Sequence, residues 1–311
     1  MSPRTVQFVA IAEAGPLEAQ AIMLCESIRM FGGRYADASI TLVSPRASRR
    51  PTAHGIRRME KLRVDYQPLN LTSPCPEYGT SFRVMGASIV EQRSQADILI
   101  QIDSDTVFLG EPDFALTDAD MLARPVDVKG ICTSGAGDVQ DAYWRELCQL
   151  CGVDYDAIPW LETTVDQSTV RANYNGGLIV VRRDHGILEK TEDIFRRIIS
   201  SRSHSHAAPA GPQRIGSGHV SPQGFMFWGT GQVALSLACT ARNAKAALLP
   251  PTYNIPLHFF DTLRDKPQPP IHVHYHWLCD RHFVAQNPLL DGRMNLPERL
   301  TDWLHSRLPL D

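Results

Sequence analysis

No stretch of the 311-residue chain approaches the roughly 18–20 consecutive apolar residues that a bilayer crossing needs, so no membrane span is expected. An excess of one charge is also missing. The 31 Lys+Arg stand against 34 Asp+Glu, a formal −3, which leaves no broad electrostatic footprint for nucleic acid or an anionic lipid surface. The opening MSPRTVQFVAIAEAG carries one Arg and a short strand-like run broken by Glu13; it lacks the pattern of a signal peptide, and a cytoplasmic location is expected. Paired cysteines are scarce as well. The seven are an odd, scattered set, and only Cys148 and Cys151 form a CxxC. No second pair or nearby His completes a zinc set, and in AYWRELCQLCGVD the two read as half-buried thiols of an amphipathic helix. These absences exclude membrane, collagenous, disordered and disulfide-scaffold classes and favour a reducing compartment.

What remains is an ordinary globular mix, 43% hydrophobic and 21% charged, long enough for about two domains or one large α/β domain. VQFVAIA is a β-branched run, and PLEAQAIMLCESIRMFGG has helical apolar spacing that stops at Gly32–Gly33. ASITLVSP is a second strand halted by Pro45; RASRRPTAHGIRRMEKLR reads as a solvated basic helix, and RVDYQPL as a third strand. SFRVMGASIVEQRSQ is helical, and ADILIQIDSDTVFL is the strongest strand. This order predicts an α/β fold, a mixed, mostly parallel sheet with helices on both faces.

Further along, the patterns predict a helix over 141–151, a buried strand YNGGLIVVRR and a helix GILEKTEDIFRRIIS. Residues 201–224, rich in Ser, His, Gly and Pro, read as a long mobile loop. GQVALSLACTAR is a helix, PPTYNIPLH and IHVHYHWL are strand-like, and a tail helix spans 297–307.

The chemistry concentrates in ILIQIDSDTVF. A nearly continuous apolar run ends abruptly in two acids, at the end of the strand where open α/β sheets bind ligands. In an extended chain Asp103 and Asp105 share one side with Ser104 opposite. Two carboxylates so placed repel unless a cation joins them, and Mg²⁺ or Mn²⁺ suits such oxygens. The plainer alternative is an acidic strand exit whose carboxylates cap the next turn. In YNGGLIVVRR, Gly176 and Gly177 permit close backbone approach to a bulky ligand, and Asn175 offers a donor and an acceptor. Period-2 spacing aims His272, His274 and His276 at one face, a polar cleft or metal edge. A three-His zinc site is disfavoured, because neighbours on one strand seldom wrap one ion.

IDSDTVF, YNGGLIVV, GTGQVALSLA, PPTYNIPLH and IHVHYH, in that order over about residues 5–282, resemble nucleotide-sugar glycosyltransferases of the GT-A (Rossmann-like) fold. The likeness is to the glycogenin-like and lipopolysaccharide galactosyltransferase-like group, family eight. It implies a single domain over 1–311, with a nucleotide-binding half (5–110), a donor-sugar and acceptor half (111–285) and a C-terminal tail (286–311). It also implies that Asp103, Asp105 and His274 hold Mn²⁺ or Mg²⁺, with His272 and His276 as register alternatives. Ala12 and Glu13 fall on the loop that holds the base. Arg83 and Ser104 fall beside the diphosphate and ribose, and Asn175, Gly176 and Gly177 on the donor-sugar floor. Gln232 falls on the acceptor side, where Gly231 replaces the usual Asp. The family's late Lys is missing, and Arg281 stands in that region.

The activity implied is metal-dependent transfer of a sugar from a nucleotide diphosphate, UDP-linked first of all, to an acceptor hydroxyl. The acceptor is a saccharide, lipid-linked sugar, peptide or small molecule. An inverting enzyme needs a general base, for which Glu162 and Asp166 are the visible carboxylates, although both also read as solvated loop acids. The 201–224 segment is placed to act as a lid. The alternatives are a nucleotidyltransferase, disfavoured because AIAEAGPLEAQ stands where a Gly-rich phosphate loop belongs, and a non-catalytic nucleotide- or sugar-binding module.

Overall fold

The computed structural model describes residues 4–205, 214–215, 218–219, 221–264, 266, 268–276 and 287–308. The first half alternates strand and helix. β1 (Val6–Ile11), α1 (Pro16–Phe31), β2 (Ser39–Ser44), α2 (Ala53–Lys61), β3 (Val64–Pro68), α3 (Thr80–Arg93) and β4 (Ile98–Ile102) lead to the short β5 (Thr106–Phe108). Then come β6 (Met121–Pro125), α4 (Asp141–Cys151), β7 (Trp160–Glu162), β8 (Thr169–Arg171), β9 (Tyr174–Arg182) and α5 (Ile187–Ser201). A two-residue hairpin, β10 (Arg214–Ile215) with β11 (Gly218–His219), precedes α6 (Pro222–Phe225), α7 (Thr230–Ala241) and β12 (Ala246–Leu248). β13 (Ile255–Pro256), β14 (His272–His274) and α8 (Glu298–Arg307) complete the described chain.

Seven strands form the main sheet in the order β12-β6-β9-β4-β1-β2-β3. β1 to β4 are mutually parallel, whereas β9 runs against both β4 and β6. The apolar run of β4 follows from burial on both faces. Ile98, Ile100 and Ile102 join Leu178 and Val180 of β9 under α1, while Leu99 joins Ile179 and Val181 under α3, α4, α5 and α7. Successive side chains therefore feed opposite layers, and the sheet has helices on both faces as its sequence predicts. Among the described residues no helix is long and apolar enough to cross a membrane.

The basic stretch divides in two. α2 is capped by Thr52, whose hydroxyl accepts from the Gly55 amide at 3.0 Å, but Arg58 pairs with Glu26 and Arg46 with Glu13 rather than lying free in solvent. The two late strand-like stretches shrink to two and three residues. They form a separate sheet, β13-β14-β5, in which β14 is antiparallel to β5. Cys148 and Cys151 lie in the core, where burial pushes the Cys148 thiol up to about 12, so it is no nucleophile at neutral pH.

One buried carboxylate couples stability to pH. Glu91 of α3 accepts the Leu188 and Glu189 amides at the start of α5, at 3.2 and 2.6 Å. Burial nevertheless outweighs these bonds and pushes it up to about 7 from 4.5. The folded state therefore holds its proton more tightly, so this stabilisation is complete below pH 4.5 and is lost as pH rises to about 7. The unfolding free energy from urea titrations should fall over that interval by on the order of 3 kcal/mol in wild type, and Glu91→Gln should remove this component of the slope. An unchanged slope in the variant would disprove the assignment.

Candidate active site

Antiparallel insertion of β9 is what assembles the site. Ile102 pairs with Leu178, so the first residues of β9 lie beside the carboxyl end of β4, and the Asp103 amide donates to the Gly177 carbonyl at 3.0 Å. There β4 ends. A turn follows, closed by the Thr106 hydroxyl donating to the Asp103 carbonyl at 2.6 Å, and the Ser104 hydroxyl donates to the Ile11 carbonyl. The extended run over 103–105 is thus not formed, but the turn still brings both carboxylates to one imidazole. His274 Nε2 lies 3.2 Å from Asp105 Oδ1 and 3.9 Å from Asp103 Oδ2. Pairing of His274 with Thr106 across β14 and β5 sets this register.

The expected repulsion between the two acids is resolved differently from the sequence argument. Each carboxylate has its own cationic partner. Arg83 Nη1 donates to both Asp103 oxygens, at 2.6 and 2.7 Å, and to the Gly176 carbonyl at 3.0 Å. Asp105 Oδ1 faces His274, and its Oδ2 faces His276 Nδ1 at 3.4 Å. Burial alone would raise Asp105, but the adjoining imidazoles outweigh it and hold the carboxyl well below its usual range. Burial likewise opposes protonation of His274, yet Asp105 prevails and raises it, whereas His276 is lowered by burial and by the neighbouring His274.

The glycines serve the protein first. A β-carbon on Gly176 would stand 2.5 Å from Arg83 Nη2, and one on Gly177 would stand 2.6 Å from both Asn254 Oδ1 and His274 Nδ1. Close approach here is by Arg83, Asn254 and His274. Asn175 Oδ1 accepts the Gly177 amide at 2.9 Å, and its Nδ2 donates to Asp127 Oδ2 at 3.0 Å.

Asp127 escaped the sequence reading. It stands two residues beyond the end of β6, but a single acid without a spaced partner gave no motif. Burial pushes it up to about 6 against hydrogen bonds from Thr164 and Asn175. Asn254 was also missed. It is buried in a left-handed conformation (φ 49°), and both polar side-chain atoms lack partners among the described residues. An Asn in that backbone region reads as a turn, so only packing reveals it.

Other candidates are dispersed. His272 is enclosed, its ring 4.7 Å from Phe108 and its Nδ1 accepting the Asn254 amide at 3.2 Å. Opposite Phe108 rather than Thr106, it sits one repeat from the acids, so the three His do not share one cleft. Ala12 is buried, and the buried Glu13 carboxylate is tied to Arg46. Gly231 and Gln232 begin α7, where a β-carbon on Gly231 would lie 3.9 Å from Arg83 Nη2 and Gln232 is half-buried. Asp166 is occupied in a loop cap, accepting from the Lys129 amide at 2.9 Å and from Thr163, and Glu162 is exposed on β7. Arg281 and much of the 201–224 segment lie outside the described residues.

Asp105, His274 and His276 place one ligand atom each within 4.8 Å of one another, a spacing and donor set that suit a divalent ion. The Asn254 side chain and His274 both crowd against Gly177, but no hydrogen bond joins them among the described residues.

Residues 8–210 match the family model of the Rhodobacterales glycosyltransferase domain. The chain belongs to this family. The glycosyltransferase shares its fold with a WbbM bifunctional glycosyltransferase in its apo structure, at 12% identity and TM-score 0.50 over 99% of this chain and 53% of that one. The chain thus spans about half of that protein. It shares the fold equally with the galactosyltransferase LgtC, solved in complex with donor and acceptor sugar analogs, at 11% identity and TM-score 0.51 over 96% and 95% of the two chains. No curated protein matches it. The fold is therefore the GT-A type expected from sequence, and membership of the glycosyltransferase family makes the protein an enzyme. The family match ends at residue 210, before α7 and β14; only the three-dimensional structure brings the late imidazoles to the acidic turn.

Proposed function

We propose that this glycosyltransferase moves a sugar from a nucleotide diphosphate, UDP-linked, to an acceptor hydroxyl with the help of a divalent ion. The observation that carries the reading is the meeting of Asp103, Asp105 and His274 at the carboxyl end of β4, next to Arg83 and the Asn175–Gly177 segment. Asp105 and His274, with Asp103 alongside, would hold Mn²⁺ or Mg²⁺, and the ion would supply Lewis acidity toward a diphosphate leaving group. The LgtC structure, bound to donor and acceptor analogs, supports a sugar-donor site on this fold.

The chain's own groups then divide the remaining work. Arg83, anchored by Asp103, keeps a fixed positive charge at the diphosphate end. Asn175, aligned by Asp127 and the Gly177 amide, presents its position to the sugar ring. Asp127, pushed up to about 6 by burial, can accept a hydrogen bond from a sugar hydroxyl at neutral pH. Gln232, on the first turn of α7, is the residue assigned here to the acceptor. Among the described residues the turn after β1 carries Glu13 paired with Arg46 rather than a glycine-rich phosphate cradle, which favours transfer over nucleotide-sugar synthesis.

Calorimetry with UDP and GDP, each with and without Mn²⁺, tests this directly, joined to a nucleotide-sugar screen for donor hydrolysis. The expected result is Mn²⁺-dependent UDP binding and slow release of UDP from one donor sugar. GDP preference would overturn the donor base. Binding without hydrolysis or transfer for any donor would replace the enzyme reading with that of a binding module.

A further inference from the structure

We infer that His276 is a third protein ligand, so that Asp105, His274 and His276 form a nitrogen-rich site that takes a transition-metal ion in preference to Mg²⁺. This rests on the metal-dependent reading above and goes beyond it by naming a further ligand and the class of ion. Three observations lead there. First, the two imidazoles face different oxygens of one carboxylate, His274 Nε2 at 3.2 Å from Oδ1 and His276 Nδ1 at 3.4 Å from Oδ2. Second, the three ligand atoms lie within 4.8 Å of one another, with the two rings 3.8 Å apart. Third, Asp103 is gripped by Arg83 at 2.6 and 2.7 Å, so one of the two acidic oxygen donors already has a full-charge partner.

The backbone supports the same conclusion. β14 ends at His274, and His276 adopts φ 57°, a left-handed conformation that is unfavourable for a residue with a β-carbon. Such strain persists where the surroundings demand it, and it is concentrated at functional sites. Here it accompanies a ring directed at Asp105.

The chemistry follows from ligand hardness. Mg²⁺ prefers an all-oxygen octahedron and sheds water reluctantly, and Mn²⁺ also favours oxygen donors, whereas affinity for nitrogen-bearing sites rises from Mn²⁺ to Co²⁺ and imidazole suits Zn²⁺. Two nitrogens and one carboxylate oxygen therefore discriminate against Mg²⁺ in a way that two carboxylates and one imidazole do less strongly. Remaining positions stay open to water or to phosphate oxygens.

The test counts nitrogens on the bound ion. Electron spin-echo modulation of the full-length protein with Mn²⁺ and UDP should show two directly bound imidazoles in wild type and one in His276→Gln. Co²⁺ titration followed by visible absorption should show His276→Gln weakening Co²⁺ by at least ~10-fold, with Mg²⁺ affinity within about twofold of wild type. One imidazole in wild type, or an unchanged count in the variant, overturns this inference while leaving metal-dependent transfer intact. Failure of wild type to bind Mn²⁺ at all, even with UDP, overturns both. Should His276→Gln not fold, by circular dichroism, the wild-type nitrogen count decides alone.

Discussion

Asp105→Asn is expected to lower sugar transfer by ~10³-fold or more, because each factor of ten corresponds to only about 1.4 kcal/mol of transition-state stabilisation. Asparagine keeps the shape of the side chain and one carbonyl oxygen toward His274, which now lies 3.2 Å from Asp105 Oδ1. What it removes is the negative charge between two imidazoles and an anionic metal ligand. The fold should survive, since Asp105 lies on a turn between strands and Tyr275 donates its amide to the Asp105 backbone carbonyl at 3.0 Å, a bond the substitution leaves alone. UDP release from the donor, Mn²⁺ affinity and a thermal melt, measured together, check this. Near-wild-type turnover would remove Asp105 from the mechanism, and with it the metal-dependent reading.

The second large effect is structural. Arg83→Met should destabilise the enzyme by about 3–5 kcal/mol, because it leaves the Asp103 carboxylate with only His274, 3.9 Å away, and strips the Gly176 carbonyl of a donor. At about 1.5 °C per kcal/mol for 311 residues, the melting temperature should fall by roughly 5–8 °C. The double change Arg83→Met with Asp103→Asn should recover a large part of that loss, since the unpaired charge is then gone. Simple additivity of the two single changes would show that the pair is not coupled. Arg83→Lys is not an equivalent replacement. An ammonium could donate to the three acceptors that Nη1 now serves, but it lacks the rest of the guanidinium plane, which fills the space over the bare Gly176.

The pairing of Arg83 with Asp103 also explains why an argument from like charges reached the right region for an incomplete reason. Two acids ending an apolar strand were visible in ILIQIDSDTVF, and they do require positive partners. The partners among the described residues are Arg83, His274 and His276, which come from α3 and from β14 and its exit, 20 or more residues away in sequence. Spacing reports which side chains share a strand. It is silent about what folds against them.

The layered sheet with covered faces was legible in the chain, because burial on both sides of β4 and β9 imposes a continuous apolar run with period-2 sorting into two cores. The helices of the first half were legible for the same reason, their apolar stripes being set by that sheet. Local pattern also marked the acidic turn, the Asn-Gly-Gly strand and the late histidines as chemistry. Tertiary structure alone decided which of them meet. The reversed direction of β9 brings Asn175 and Gly176 to Asp103, and the register of β14 on β5 puts His274 at Asp105 and leaves His272 against Phe108. Strand direction and register are settled by hydrogen bonding and packing between distant segments, and those are energies that no single stretch of sequence contains.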